Sequence, residues 1–267
     1  MQLSPMYTLS EISLAVARIV MPDQMVDGEA TAGTTSSLTD TANLTQPNEY
    51  FKGGILWLHS GAHAGEVYAV ASHAVNKLNF TAVTGAIAAG DRYTVARDIY
   101  TYQKIKAAIN TALTFTHIES TDTSLEGDGK TLAFTIPTGV WDIKRVFFTD
   151  PDRAQEQPES THWEEKYIGT ARKLLFDPGY APRDGYTINI VYRDQHPALT
   201  IYSSEVNAAI DIDWLKYKAA EDLLLFGMGA YGSRVEFRIE ERMNIVMEKL
   251  KRLRPRGTDI IIHTAGG

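Results

Sequence analysis

The chain contains no cysteine. That excludes disulfides, thiol nucleophiles and thiolate-held zinc or iron–sulfur centres, so a metal would have to rest on histidine, aspartate or glutamate. Positive charge is also scarce: 26 Lys plus Arg stand against 33 Asp plus Glu, a formal net charge of −7. Bulk attraction to nucleic-acid phosphate is thereby disfavoured, and only a local basic patch could make such a contact. Long apolar runs are missing, and the opening "MQLSPMYTLSEISLAVARIV" has neither a basic first segment nor a continuous apolar stretch. The expectation is a chain made in the cytoplasm, with no secretory leader and no membrane span.

What is present is enough apolar material for real cores. The 267 residues are 44% hydrophobic, which suits one large domain or two ordinary ones. Thr8, with Glu11 three residues on, opens a helical spacing of Leu9, Ile12, Val16 and Ile19 that runs to Met21 and stops at Pro22. From Met25 to Leu44 the composition turns to Gly, Ala, Thr, Ser and Asp, which predicts an extended or looping segment lying on something else. Then "ILWLHS", "EVYAVASH", "KLNFTAV" and "RYTVAR" read as four short strands with tight turns, the pattern of a small antiparallel barrel.

The period changes over Asp98–His117, where Ile105, Ile109 and Leu113 share one helical face. A second β region follows in "KTLAFTIP", "WDIKRVFFTD", "THWEEKYIG", "ARKLLFDP" and "YTINIVYRD", a sandwich or barrel and not a βαβ sheet. Helix returns over Ser204–Phe226, carrying Trp214, Leu215 and Leu223, and breaks at "GMGAYGS". A last helix spans Arg234–Leu253, opened by Ser233 with Glu236 three on. Beyond Pro255, "RPRGTDIIIHTAGG" combines a basic hinge with an apolar run that has no visible partner in the chain. It reads as a docking arm, with Arg254, Arg256, Asp259, Ile260, Ile261 and Ile262 as its contact residues.

The expected fold class is α+β: a small antiparallel β-barrel module plus a helical bundle with an inserted antiparallel β-sandwich or barrel domain. Its parts are an N-terminal helix (1–21), the β module (22–98), the helical core (99–118 and 204–254), the inserted β domain (119–203) and the arm (255–267). Ile105, Ile109 and Leu113 facing Trp214, Leu215 and Leu223 form the expected helical core.

Several patterns invite a chemical reading. "WLHSGAHAGEVY" places His59, His63 and Glu66 within eight residues, a set that could suit zinc. Gly61 and Gly65 deny it the one-face spacing of a helical HExxH, so exposed histidines at a hairpin tip are expected instead. "GDGKT", Gly127–Thr131, has the end of a phosphate-binding loop, but Ser124 stands where the first glycine belongs and a strand follows, so a hairpin turn is expected. The acid pairs Asp150/Asp152, Glu164/Glu165, Asp211/Asp213 and Glu240/Glu241 lack an adjacent nucleophile. No nucleophile elbow or dinucleotide fingerprint appears. No catalytic, cofactor or metal residue is therefore assigned. The basic run "EKLKRLRPRG" suits a helix C-terminus, where cations meet the negative end of the dipole, and could also contact an acidic protein or passing nucleic acid.

Two stretches together carry a resemblance. "TAGTTSSLTDTANLTQPNEYFKGGILWLHSGAHAGEVYAVASH" with "TGAIAAGDRYTV" resembles a small β module of tailed-bacteriophage virion proteins. "DIYTYQKIKAAINTAL" with "DIDWLKYKAAEDLLLF" and a further charged helix resembles the helical core of phage head-to-tail adaptor (connector or neck) proteins carrying a β insertion. These loose patterns of apolar and glycine positions touch most of the chain and bring no catalytic residues with them. The resemblance implies a virion protein without cofactor, self-assembled into a ring of about twelve copies. Such a ring joins portal to neck, stopper or tail proteins, lets double-stranded DNA pass, and sends its C-terminal arm into the portal. Both β regions are additions to a minimal all-helical adaptor, which leaves other stations in the neck open. The alternatives are a carbohydrate-binding or hydrolysing phage tail protein, using Trp141, Trp163 and the paired acids, and a metalloenzyme resting on the histidines alone.

Overall fold

A computed structural model describes residues 7–152, 155–156, 159–231 and 238–253. The protein is mixed α+β, with four helices among the described residues and several antiparallel sheets, one of them curled as a half-barrel. It divides into two compact units, Met1–Thr116 with His196–Gly267, and His117–Gln195. No helix among the described residues is long and apolar enough to cross a membrane.

The first unit opens with β1 (Tyr7–Thr8) and α1 (Leu9–Val20). Thr8 caps the helix: its hydroxyl accepts from the Glu11 amide, and the Glu11 carboxylate accepts from the Thr8 amide at 2.8 Å. Two amides that a helix start leaves unpaired are thus satisfied reciprocally. Seven strands follow: β2 (Met25–Glu29), β3 (Ala32–Gly33), β4 (Ser37–Thr39), β5 (Ile55–Leu58), β6 (Val67–Ala74), β7 (Lys77–Phe80) and β8 (Arg92–Ala96). They form one antiparallel sheet in the order β2-β8-β5-β6-β7-β4-β3.

The stretch Met25–Leu44, expected as an extended or looping segment lying on something else, supplies three of these strands. β2 and β3 are the two edges of the sheet, yet only Ala30 and Thr31 separate them in the chain. Ala30 donates its amide to Asp91 O and Thr31 donates to Thr39 O, so one bent stretch holds both edges and the sheet curls between them. Small residues suit that bend, because the partner strands supply the large side chains.

All four residues of β5 are buried, since successive side chains of a strand point to opposite faces and both faces are covered. Leu56 and Leu58 enter the core inside the curl, with Phe51, Leu78, Tyr93 and Val95. On the other side, Trp57 donates its indole N–H to Ser13 Oγ of α1 at 2.9 Å. Helix α2 (Tyr102–Leu113), capped by Thr101, completes this half and buries Ile105, Ala108, Ile109, Ala112 and Leu113.

The second unit contains β9 (His117–Glu126), β10 (Ala133–Thr135), β11 (Trp141–Asp150), β12 (Gln155–Glu156), β13 (Trp163–Ile168), β14 (Ala171–Phe176) and β15 (Thr187–Gln195). They make a four-stranded sheet, β12-β11-β15-β9, and a three-stranded sheet, β10-β14-β13. One apolar cluster draws on both, with Val146, Ile188 and Ile190 from the larger sheet and Leu174 and Phe176 from the smaller. β9 begins at His117, where the expected helical segment ends, in a stretch to which the sequence pattern assigned no strand. Its polar composition hides a strand paired along most of its length with β15.

"GDGKT" is not the turn of a hairpin, because β9 and β10 on either side belong to different sheets. Asp128 organises it by accepting from the Lys130 and Thr131 amides at 2.9 and 2.6 Å. Gly127 is required by close approach: a Cβ there would fall 2.4 Å from Arg183 O.

Returning to the first unit, β16 (Glu205–Val206) pairs with β1, and helices α3 (Ile212–Tyr231) and α4 (Ile239–Arg252) follow. The expected helix from Ser204 starts eight residues later, where Asp211 accepts from the Asp213 and Trp214 amides as its cap. Nor does it break at the glycines: α3 runs through Gly227 and Gly229. A Cβ on Gly227 would lie 2.2 Å from the Tyr100 hydroxyl oxygen, so this glycine serves close packing and not chain reversal. Helix α3 packs against α1, α2 and α4. Ser233 and Glu236, expected to open the last helix, lie outside the described residues.

Candidate functional site

The β5–β6 hairpin holds the residues singled out for metal chemistry. Between its strands, Gly61–His63 forms a single 3-10 turn, and Gly61 sits at φ +77° against the Asp91 carboxylate. His63 is not at an exposed tip, as the glycine pattern implied, but buried at 4% exposure. Its Nδ1 meets Glu66 Oε2 at 2.8 Å and its Nε2 lies 3.3 Å from Gly85 O. Glu66 also accepts from the hydroxyls of Tyr68 and Tyr202, the latter 136 residues away in the chain. Burial pushes the Glu66 carboxyl up, but hydrogen bonds from Tyr68, His63 and Tyr202 outweigh it and hold the group below its ordinary value. Tyr68 is driven the other way, raised by burial and by the Glu66 charge.

His59 belongs to a separate chain of contacts. Its Nε2 lies 2.7 Å from Thr94 Oγ1, the Thr94 hydroxyl donates to Asp27, and Arg18 pairs with Asp27 at 2.9 Å. Because the threonine proton goes to the carboxylate, His59 is the donor to the threonine oxygen. That polarity is the reverse of a hydroxyl nucleophile activated by histidine. Burial and the charges of Arg18 and Arg92 lower the His59 pKa, against the raising pull of Asp27. The three residues first grouped as one cluster are therefore divided between two networks that fix the hairpin. Among the described residues, no group of three or more His, Asp or Glu is arranged to hold a metal ion.

The acid pairs have local partners as well. Asp150 accepts from the Asp152 amide and the Tyr186 hydroxyl, and Asp211 caps α3. Glu165 grips Arg172 with contacts of 2.5 and 2.6 Å, and Glu240 and Glu241 occupy the first turn of α4. Trp163 is half-buried against the apolar cluster of its unit and donates to Ser160 O at 2.9 Å. Trp141 is half-buried too, with His117 meeting its ring edge-on at 5.4 Å.

All six helical-core residues are buried: Ile105, Ile109 and Leu113 on α2, and Trp214, Leu215 and Leu223 on α3, which packs against α2. Arg254, Arg256, Asp259, Ile260, Ile261 and Ile262 lie outside the described residues.

Two features of the helices have no counterpart in the sequence patterns. The first is Arg242 on α4, 7% exposed, whose Nη2 binds Asp23 at 2.5 Å while Nη1 is buried with no hydrogen-bond partner among the described residues. Its desolvation depresses its pKa, against the attraction of Asp23. The second is a groove of about 350 Å³ where α1, α3 and the end of α4 meet. In addition, Leu225, Phe226 and Met228 on α3 and Ile245 and Met247 on α4 are large apolar side chains left exposed.

Compared with known protein families and with curated sequences, the chain matches no family model and no curated protein. Geometry and chemistry thus carry the functional reading. They describe a scaffold whose polar clusters lock its loops and whose helices present apolar surface.

Proposed function

We propose that this chain is a structural subunit of the tailed-bacteriophage head-to-tail junction. It would be made in the host cytoplasm and assembled in the virion as a homo-oligomeric ring. The ring would join portal to neck, stopper or tail proteins, and the genome would pass through it without chemistry by the subunit. The observation that carries this reading is the set of large apolar side chains left exposed on α3 and α4: Leu225, Phe226, Met228, Ile245 and Met247. Five large apolar side chains exposed on two neighbouring helices support contact with a partner. A ring with heterologous contacts supplies such a partner at every subunit.

The finer architecture fits the same reading. The bent Met25–Gly33 stretch, which holds both edges of the seven-stranded sheet, supports a small barrel module. The core shared by two sheets of the 117–195 unit supports an inserted sandwich, and the packing of α3 on three helices supports a bundle. An acidic subunit, −7 overall, would repel DNA in a channel and so not trap it. Native mass spectrometry of the purified chain, alone and with a tailed-phage portal, tests the proposal. A single closed oligomer in either sample is expected, and a monomer in both would refute it.

A further inference from the structure

The groove between α1, α3 and α4 has a composition that selects its occupant. Its apolar lining comes from Ala15 and Ile19 on α1, Tyr217 on α3 and Leu253 just past α4. Its charges are Arg18, Lys216 and Lys249 against the single carboxylate of Asp213. Two of these cations already have partners: Lys216 binds Asp213 at 2.6 Å and Arg18 binds Asp27 at 2.9 Å. Lys249 is exposed and forms no ion pair among the described residues. A segment that fits must therefore offer a few branched apolar side chains with one carboxylate beside them.

The geometry points to the segment Asp259–Ile262 of this same chain as the occupant, seated in the groove of its own subunit with the Asp259 carboxylate on Lys249. Three observations converge. Leu253, which lines the groove, is six residues before Asp259, and six residues reach at most about 20 Å. The intervening Arg254-Pro255-Arg256-Gly257 carries proline and glycine at the second and fourth positions favoured in a chain-reversing turn. The run "DIII" has the required one-carboxylate, branched-apolar composition. Tethering also favours the chain's own segment over another copy's, since a short linker holds it at an effective concentration on the order of millimolar.

The inference goes beyond the adaptor reading. It makes the groove a resting seat that withdraws three consecutive isoleucines from solvent until a competing surface draws them out. The general danger of leaving such a run exposed is self-association through apolar strands.

Carbodiimide coupling of the full-length chain tests the seat, because it joins a carboxylate to an amine only at contact distance. Read on the monomer band and mapped by mass spectrometry, an Asp259–Lys249 link is expected whose yield is unchanged by about tenfold dilution. The amides of Ile260–Ile262 should exchange hydrogen at least about tenfold more slowly in the chain than in a free peptide of residues 257–267. In Lys249→Glu, an exposed substitution that leaves the fold intact, that protection should largely disappear. Exchange at the free-peptide rate in the parent chain would overturn the proposal, as would a link that vanishes on dilution, which would place the segment on a second copy. Reading the monomer separates this outcome from success or failure of ring assembly.

Discussion

The seven-stranded sheet and the 117–195 unit are both antiparallel, but they secure their cores differently. In the sheet, buried polar groups are held by side-chain hydrogen bonds, several across long chain separations: Asp40 binds Asn43 and Tyr93, Thr94 binds Asp27, and His63 binds Glu66, which also accepts from Tyr202. In the 117–195 unit the cluster is apolar, and the buried polar side chains among the described residues are Asp150 and Asn189. A satisfied polar network specifies one arrangement, because each unmet group is expensive, whereas an apolar core tolerates exchange of shape if volume is kept. The first design suits a module whose loops must hold a fixed form.

Substitutions can break or sharpen that contrast. The largest effect is expected for Trp57→Ala, which empties a fully buried site and removes the indole bond to Ser13 that joins β5 to α1. A loss of about 3–5 kcal/mol should appear as a lower denaturation midpoint for the unit containing the sheet. Next is Ile190→Ala in the 117–195 cluster, about 2–5 kcal/mol, while Ile190→Leu should cost less than about 1.5 kcal/mol. Hydrogen exchange should confine both changes to that unit. A large loss from the leucine variant would contradict the picture of a tolerant apolar core.

Asp40→Ala should cost about 1–3 kcal/mol, because it leaves the buried Tyr93 hydroxyl and the Ala42 and Asn43 amides without their acceptor. The same residue gives a pH signature. Burial raises its pKa, but hydrogen bonds from Asn43, Tyr93 and Ala42 outweigh it and the folded value is lowered. A carboxylate with a depressed folded pKa stabilises fully above its unfolded value of 3.8 and loses that contribution as pH falls through the folded value. A stability profile from roughly pH 6 to pH 2 should therefore decline less steeply at the acid end in Asp40→Ala than in the parent chain. The smallest effect is expected for Tyr167→Ser on the exposed strand β13, within about 0.5 kcal/mol.

Local features of this fold were legible in the sequence and distant ones were not. The Thr8–Glu11 capping box, the buried run Ile55–Leu58 and the α2 stripe follow from spacing alone, since each is satisfied within one or two turns or along one strand. Strands β2, β3 and β4 escaped because Gly, Thr and Ser have little strand preference of their own, and the pairing energy comes from β8 and β7. The buried His63 meets Gly85, 22 residues along the chain, and its partner Glu66 meets Tyr202, 136 residues along, so a glycine-bounded hairpin looked like an exposed tip. Gly227 reads as a helix breaker until Tyr100 is seen where its Cβ would be. The groove could not be read at all, because nearly the whole sequence separates α1 from the α3 and α4 that complete its walls.

The central claim is that the exposed helical surface closes a ring on a phage portal. Electron micrographs of the purified chain mixed with portal test it most directly, with Phe226→Asp as the control that places a charge on that surface. The account predicts closed rings seated on the portal for the parent chain and their loss in the variant. Dispersed single subunits beside bare portals in the parent sample would contradict it.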